Sequence, residues 1–164
     1  MLEKRNFYIN GKWVSPSKSN DLKVINPSTE ESFAVISLGS TEDTNKAVQA
    51  AKKAFVKWKE TSKEERIKLL EKLLNIYKKR FSEMAKAMSM EMGAPIDFAT
   101  SVHTASGQSH IEDFILRLKN FKFEENFNNK SNNYIGHEPI GVCGLITPWN
   151  WPINQVALKV IPAL

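Results

Sequence analysis

Over the first forty residues apolar and polar positions alternate in short runs, the period of half-buried strands. In FYIN-GKWV the pair Asn10-Gly11 sits between two such runs, which predicts a hairpin closed by a type I′ turn. VINPSTEESFAVISLG predicts two short extended pieces around Asn26-Pro27-Ser28-Thr29, where proline fixes φ and Asn and Ser can bond their own backbone. Gly39 and Ser40 end this β region, and from Thr41 the period becomes about 3.6. Ala47, Ala51, Ala54, Phe55 and Trp58 then fall on one helical face, with Lys46, Lys53 and Lys57 elsewhere. Ser62-Lys63-Glu64-Glu65 has the pattern of a capping box and opens a second helix, with Ile67, Leu70, Leu73, Leu74 and Tyr77 as its apolar stripe. A break at Arg80 to Ser82 precedes a helix carrying Met84, Ala85 and Met88 and ending at Gly93 and Pro95. Phe98, Val102, Ala105, Ile111, Phe114, Ile115 and Leu118 predict one more helix from about Ile96 to Leu118, with Gly107 interrupting its pattern.

Beyond it the composition shifts. Asn126, Asn128, Asn129, Asn132 and Asn133 cluster around Lys130, a helix-hostile run expected to form a turn at a hairpin tip. The next stretch reads as an extended strand to Pro139, a buried strand GVCGLI, and the turn Thr147-Pro148-Trp149-Asn150-Trp151. Pro152 stands where an N1 proline opens a helix. That helix stays apolar to Leu164, without a glycine cap or basic last turn, so the chain is expected to be part of something longer. On that expectation Leu70 with Leu73, and the Val156 to Leu164 helix, lack partners to cover them.

At 164 residues there is room for one domain or part of a larger one, and 41% hydrophobic with 25% charged residues describes a chain with a core. A net charge of +5 is thin for a nucleic-acid binder, and the basic run Lys52, Lys53, Lys57, Lys59 and Lys63 is interrupted by Glu60, Glu64 and Glu65, as on a solvated helix face. No nucleic-acid partner is expected. The single cysteine, Cys143, cannot form an intramolecular disulfide, and no metal-ligand spacing is present. His103 and His110, seven apart, have no third ligand in sequence, and His137 has no partner. No metal is expected. The N-terminus has no apolar signal core, and no run reaches the ~18 apolar residues that span a bilayer, so no membrane is expected and a cytoplasmic protein is.

Strand, tight turn and helix N-terminus in succession, GVCGLI, TPWNWP, INQV, is an arrangement that sets side chains beside a nucleotide in α/β proteins, although no GxGxxG comes after the strand. Taken alone, Asn150 could equally be a turn-former between prolines. The segment EPIGVCGLITPWNWPINQ, however, resembles the aldehyde dehydrogenase superfamily's EPxGVxGxIxPWNFP hallmark, with Trp151 where Phe is usual. The resemblance runs back through MEMGAP, SKEERIKLLEKL, KAVQAAKKAFVKW, VINPSTEE and YINGKWV in family order, covering essentially the whole chain.

This resemblance implies an α/β fold, specifically the N-terminal part of an aldehyde dehydrogenase. Residues 1–120 would be the hairpin and helical layer of the cofactor domain, 121–139 an oligomerisation arm, and 140–164 the first strand and helix of an incomplete Rossmann-like core. It implies oxidation of an aldehyde by way of a cysteine thiohemiacetal, hydride passing to NAD or NADP. Asn150 would be an oxyanion-hole donor, and Ile146, Thr147, Pro148 and Trp149 would line the cofactor cleft. The family's nucleophilic cysteine and general-base glutamate lie downstream of the PWN segment, outside these 164 residues. Cys143, in an apolar strand without a basic neighbour, is read as an inert buried thiol. The chain alone is therefore expected to be inactive, its partners being further copies or a C-terminal half. The alternative is a non-catalytic assembly module or complementing half-protein.

Overall fold

The computed structural model describes residues 1–128 and 132–164. Two small sheets open the chain. β2 (Phe7–Ile9) and β3 (Lys12–Val14) form the expected hairpin, with Asn10 at φ 53° and Gly11 at φ 75°, the two left-handed positions that a type I′ turn demands. Tyr8 and Trp13 pair across its exposed face. β4 (Asp21–Asn26) and β5 (Glu31–Ser37) pair antiparallel around the Asn26–Thr29 turn, where Ser28 N–H donates to Asn26 Oδ1 at 2.9 Å. β1 (Leu2–Lys4), too short to announce itself by alternation, adds parallel to β5 and makes the order β1-β5-β4.

The helical layer comes next. α1 (Thr41–Trp58) is opened by a reciprocal capping box between Ser40 and Asp43, and α2 (Lys63–Lys79) by one between Ser62 and Glu65. On α1 only part of the expected face is covered: Ala51, Phe55 and Trp58 are half-buried, while Ala47 and Ala54 are exposed. Arg66 joins the end of α1 to α2, lying 4.9 Å over the Trp58 ring and donating to the carbonyls of Trp58 at 2.9 Å and Thr61 at 3.1 Å. α3 (Phe81–Met92) buries Ala85 and Met88 and ends at Gly93 with φ 74°. A Cβ at Gly93 would come within 2.9 Å of Pro27, so this glycine serves both the left-handed cap and the close approach of the β4–β5 turn.

The single helix expected over Ile96 to Leu118 is instead three pieces: α4 (Ile96–Phe98), a π-helical turn (Ala99–Thr104) and α5 (Ala105–Asn120). Gly107 does not interrupt it but is a crossing point, where a Cβ would lie 2.5 Å from the Tyr77 hydroxyl and 2.7 Å from Ile153. α6 (Pro152–Ala163) starts at proline as expected and crosses there. Leu70 and Tyr77 of α2, Ile111 and Ile115 of α5, and Ala157 and Ile161 of α6 form the core. The expectation that Leu70 and the last helix lack partners is therefore corrected, since the three helices cover one another. Leu73, Val156, Leu158 and Leu164 do remain partly exposed. The Tyr77 hydroxyl donates to the Thr104 carbonyl at 2.8 Å in this interior, and burial pushes its pKa up to about 12.

The Asn-rich region is flanked by a two-stranded hairpin, β6 (Glu124–Asn126) with β7 (Tyr134–Gly136), exposed along its length. The predicted tip around Asn129 and Lys130 lies outside the described residues. The expected buried strand GVCGLI is not formed: residues 140–146 form no strand and are exposed apart from the half-buried Gly141, and among the described residues no strand pairs with them. A strand needs a neighbour to take its N–H and C=O groups, and none is supplied here. Cys143 is accordingly exposed, not buried, its thiol 3.7 Å from the Gly141 carbonyl.

Candidate functional site

The candidate site is the segment from Gly144 to Asn150, outside any helix or strand, and the first turn of α6. Ile146 is 88% and Trp149 75% exposed, Thr147, Pro148 and Asn150 are also exposed, and among the described residues this stretch makes no backbone hydrogen bond. The five residues expected at the site are thus brought together by adjacency along one open ridge. The chain builds no enclosed cleft around them. At the end of the ridge Trp151 occupies the N-cap of α6 with φ −149° and ψ 72° but provides no side-chain cap for the N–H groups of Ile153 and Asn154, Pro152 having none.

The ridge is held from below by α5 and the turn before it. Trp151 meets the edge of His103, ring centroids 5.4 Å apart, and His103 in turn meets Phe98 at 5.0 Å. Further along α5, His110 Nε2 lies 2.6 Å from Asn154 Oδ1. Trp151 thus steadies the Asn150 turn, whereas Trp149, expected to help, extends into solvent. His103 and His110 do not share a ligand, and among the described residues no three of His, Cys, Asp or Glu are grouped to hold a metal. Their signal in the sequence is an i, i+7 spacing on a mostly apolar face, which suggests a metal pair more readily than a support for a distant helix.

Charge contributes little here, since among the described residues the ion pairs lie away from residues 140–154, as in Lys78–Glu112 at 2.7 Å and Lys119–Glu71 at 2.8 Å. The ridge is mostly apolar, with the Thr147 hydroxyl within it and one carboxamide at its end. Such a surface can seat a flat, largely uncharged ring system and offer an N–H to a developing negative oxygen.

Fold and site together define an α/β chain with a strand-length, mostly apolar segment running into a helix N-terminus. The family model described as "Aldehyde dehydrogenase family" matches residues 13–164, and this chain belongs to that family. It is 44% identical to a 3-succinoylsemialdehyde-pyridine dehydrogenase of a Pseudomonas species over 100% of this chain and 34% of that protein. The crystal structure of an aldehyde dehydrogenase from Bartonella henselae superposes with a TM-score of 0.98 at 60% identity, covering 99% of this chain and 34% of that one. A mutant aldehyde dehydrogenase C from Pseudomonas syringae, in complex with NAD+ and octanal, superposes at 0.93 with 38% identity, covering 97% of this chain and 32% of that one. The chain thus spans about a third of the length of the relatives it matches, and its architecture is the N-terminal part of their fold.

Proposed function

We propose that this chain supplies the cofactor side of an NAD(P)-dependent aldehyde dehydrogenase that oxidises an aldehyde to a carboxylic acid. The observation that carries the reading is the exposed ridge Ile146-Thr147-Pro148-Trp149 ending at Asn150, on a chain that superposes on NAD+-bound relatives. The residues present fit a dinucleotide: Ile146 and Trp149 offer apolar surface, and the N–H groups of Leu145, Ile146, Thr147 and Trp149 are free of backbone partners among the described residues, Pro148 having none to offer. A bound NAD(P) would supply the hydride acceptor.

Asn150 has the chemistry of an oxyanion donor. Its carboxamide N–H stabilises the negative oxygen that forms when a thiolate adds to the aldehyde carbonyl, and loss of one such donor costs about 10²–10³ in turnover. The thiolate and the general base come from outside these residues. Cys143, though exposed, has its thiol against the Gly141 carbonyl, which cannot activate it as a histidine, lysine or arginine would. Among the described residues no further strand pairs with the hairpin β6–β7, which supports assembly with further copies through residues 121–139. The enzyme would act in the cytoplasm. No helix among the described residues is long and apolar enough to cross a membrane.

The experiment is to isolate the native protein or complex bearing this segment and measure aldehyde-dependent formation of NADH or NADPH. Turnover by that species, and none by the isolated 164-residue chain, is expected. Activity of the isolated chain that is abolished in Cys143→Ala would overturn the division of labour, and a native species that oxidises no aldehyde would overturn the reading itself.

A further inference from the structure

The segment that carries Asn150 has no hydrogen-bonded strand to fix it. Residues 140–150 form no backbone–backbone hydrogen bond among the described residues, and the N-cap of α6 lacks a side-chain cap. What holds the turn in place is its far side, where Trp151, Ile153 and Asn154 rest on His103, Gly107 and His110. These last three stand at i, i+4 and i+7, one face of a helix, and they contact the start and first turn of α6.

Each of the three does something an ordinary packing residue would not. Gly107 lets Ile153 approach to where a Cβ would be 2.7 Å away, which sets the depth of the turn. Asn154 Oδ1 can only accept, so His110 donates from Nε2, a directional bond of 2.6 Å at a half-buried position. His103 is 4% exposed, and its Nδ1 is buried without a hydrogen-bond partner. An apolar side chain there would avoid that unmet atom, so packing alone does not account for an imidazole. It sits in the π-helical turn Ala99–Thr104 between α4 and α5, and π turns of this kind concentrate at functional sites.

We propose that His103 and His110 are positioning residues which, across Gly107, fix the first turn of α6 and through it the direction of the Asn150 carboxamide. The proposal rests on Asn150 as the oxyanion donor. A displacement of about 1 Å at a reacting group can cost as much as ~10²-fold in rate, so loosening either contact lowers turnover without touching cofactor or aldehyde.

The test is steady-state kinetics in the active enzyme that contains this segment. His110→Leu and His103→Leu should lower kcat by about ten- to a hundredfold with the cofactor KM unchanged. His110→Gln, whose amide can still donate to Asn154, should recover most of the loss. Combined with Asn150→Ala, neither leucine variant should reduce kcat further, because residues acting through one group are not additive. A loss that persists undiminished in the Asn150→Ala background, or no loss in any histidine variant, overturns the proposal. Should His110→Leu fail to fold, Asn154→Ala removes the same bond from the other side and is read the same way. The two readings separate cleanly. Full kcat in Asn150→Ala defeats the role of Asn150 and the proposal with it, while a loss in Asn150→Ala but not in the histidine variants defeats the proposal alone.

Discussion

Asp43 ties two elements with one carboxylate. It accepts from the Ser40 amide at 2.9 Å, the Ser40 hydroxyl at 2.7 Å and the Ser17 amide at 2.8 Å, anchoring the loop after β3 to the start of α1. These donors, the Ser40 amide foremost, hold its carboxyl well below the usual carboxylate range. Because the folded value lies below the unfolded one, the unfolded chain binds more protons in acid. The resulting stability is complete above about pH 5 and is lost as the pH falls below it. Asp43→Ala should therefore lower the unfolding midpoint at neutral pH and flatten the decline of stability in acid, as read from denaturant midpoints across a pH series. A variant with the parent's acid slope would contradict this. At Gly107 two effects oppose each other. Alanine gains about 1 kcal/mol in helix propensity, but its Cβ would fall 2.5 Å from a hydroxyl already bonded to Thr104 and 2.7 Å from Ile153. Overpacking costs about 1–3 kcal/mol, so Gly107→Ala should be net destabilising in thermal denaturation, and a stabilised variant would show that the crossing is looser than it looks.

Among the elements, the α2–α5–α6 layer carries the core, and its members are unequal. Leu70→Ala, deleting a side chain 5% exposed against α5 and α6, should cost about 2–5 kcal/mol. Leu73→Ala, at 37% exposure, should stay within about 1 kcal/mol. Equal losses in denaturant titrations would mean that the layer is organised otherwise. Both leucines lie on the stripe that periodicity picks out, and the split between them is invisible in the sequence because it depends on which neighbouring helix arrives. The same limit applies elsewhere. Asn10-Gly11, Ser62-x-x-Glu65, Gly93 and Pro152 act locally, and each boundary they mark is legible. Ser40-x-x-Asp43 is equally local but harder to read, because aspartate stands where glutamate is usual in that box. The π turn at Ala99–Thr104 and the parallel pairing of Leu2–Lys4 with β5 depend on distant partners, so no residue spacing announces them.

For the whole molecule, the strand GVCGLI reads as buried because its residues suit a sheet interior, yet here it is exposed with no strand beside it among the described residues. Its pattern records an environment that the described residues do not provide. The candidate site divides along the same line. Ile146, Thr147, Pro148, Trp149 and Asn150 are legible from a contiguous motif, whereas His103 and His110, more than 40 positions away from the residues they hold, Trp151 and Asn154, become visible only once α5 and α6 cross. On this account the 164 residues contribute a cofactor-facing ridge and one catalytic amide, and the reaction also needs a thiolate and a base from elsewhere.

The most direct measurement is the turnover of Asn150→Ala beside the parent, both in the native enzyme that bears this segment, with aldehyde and NAD+ saturating. The account predicts a fall in kcat of about 10²–10³ with cofactor binding retained. Undiminished turnover in Asn150→Ala would contradict it.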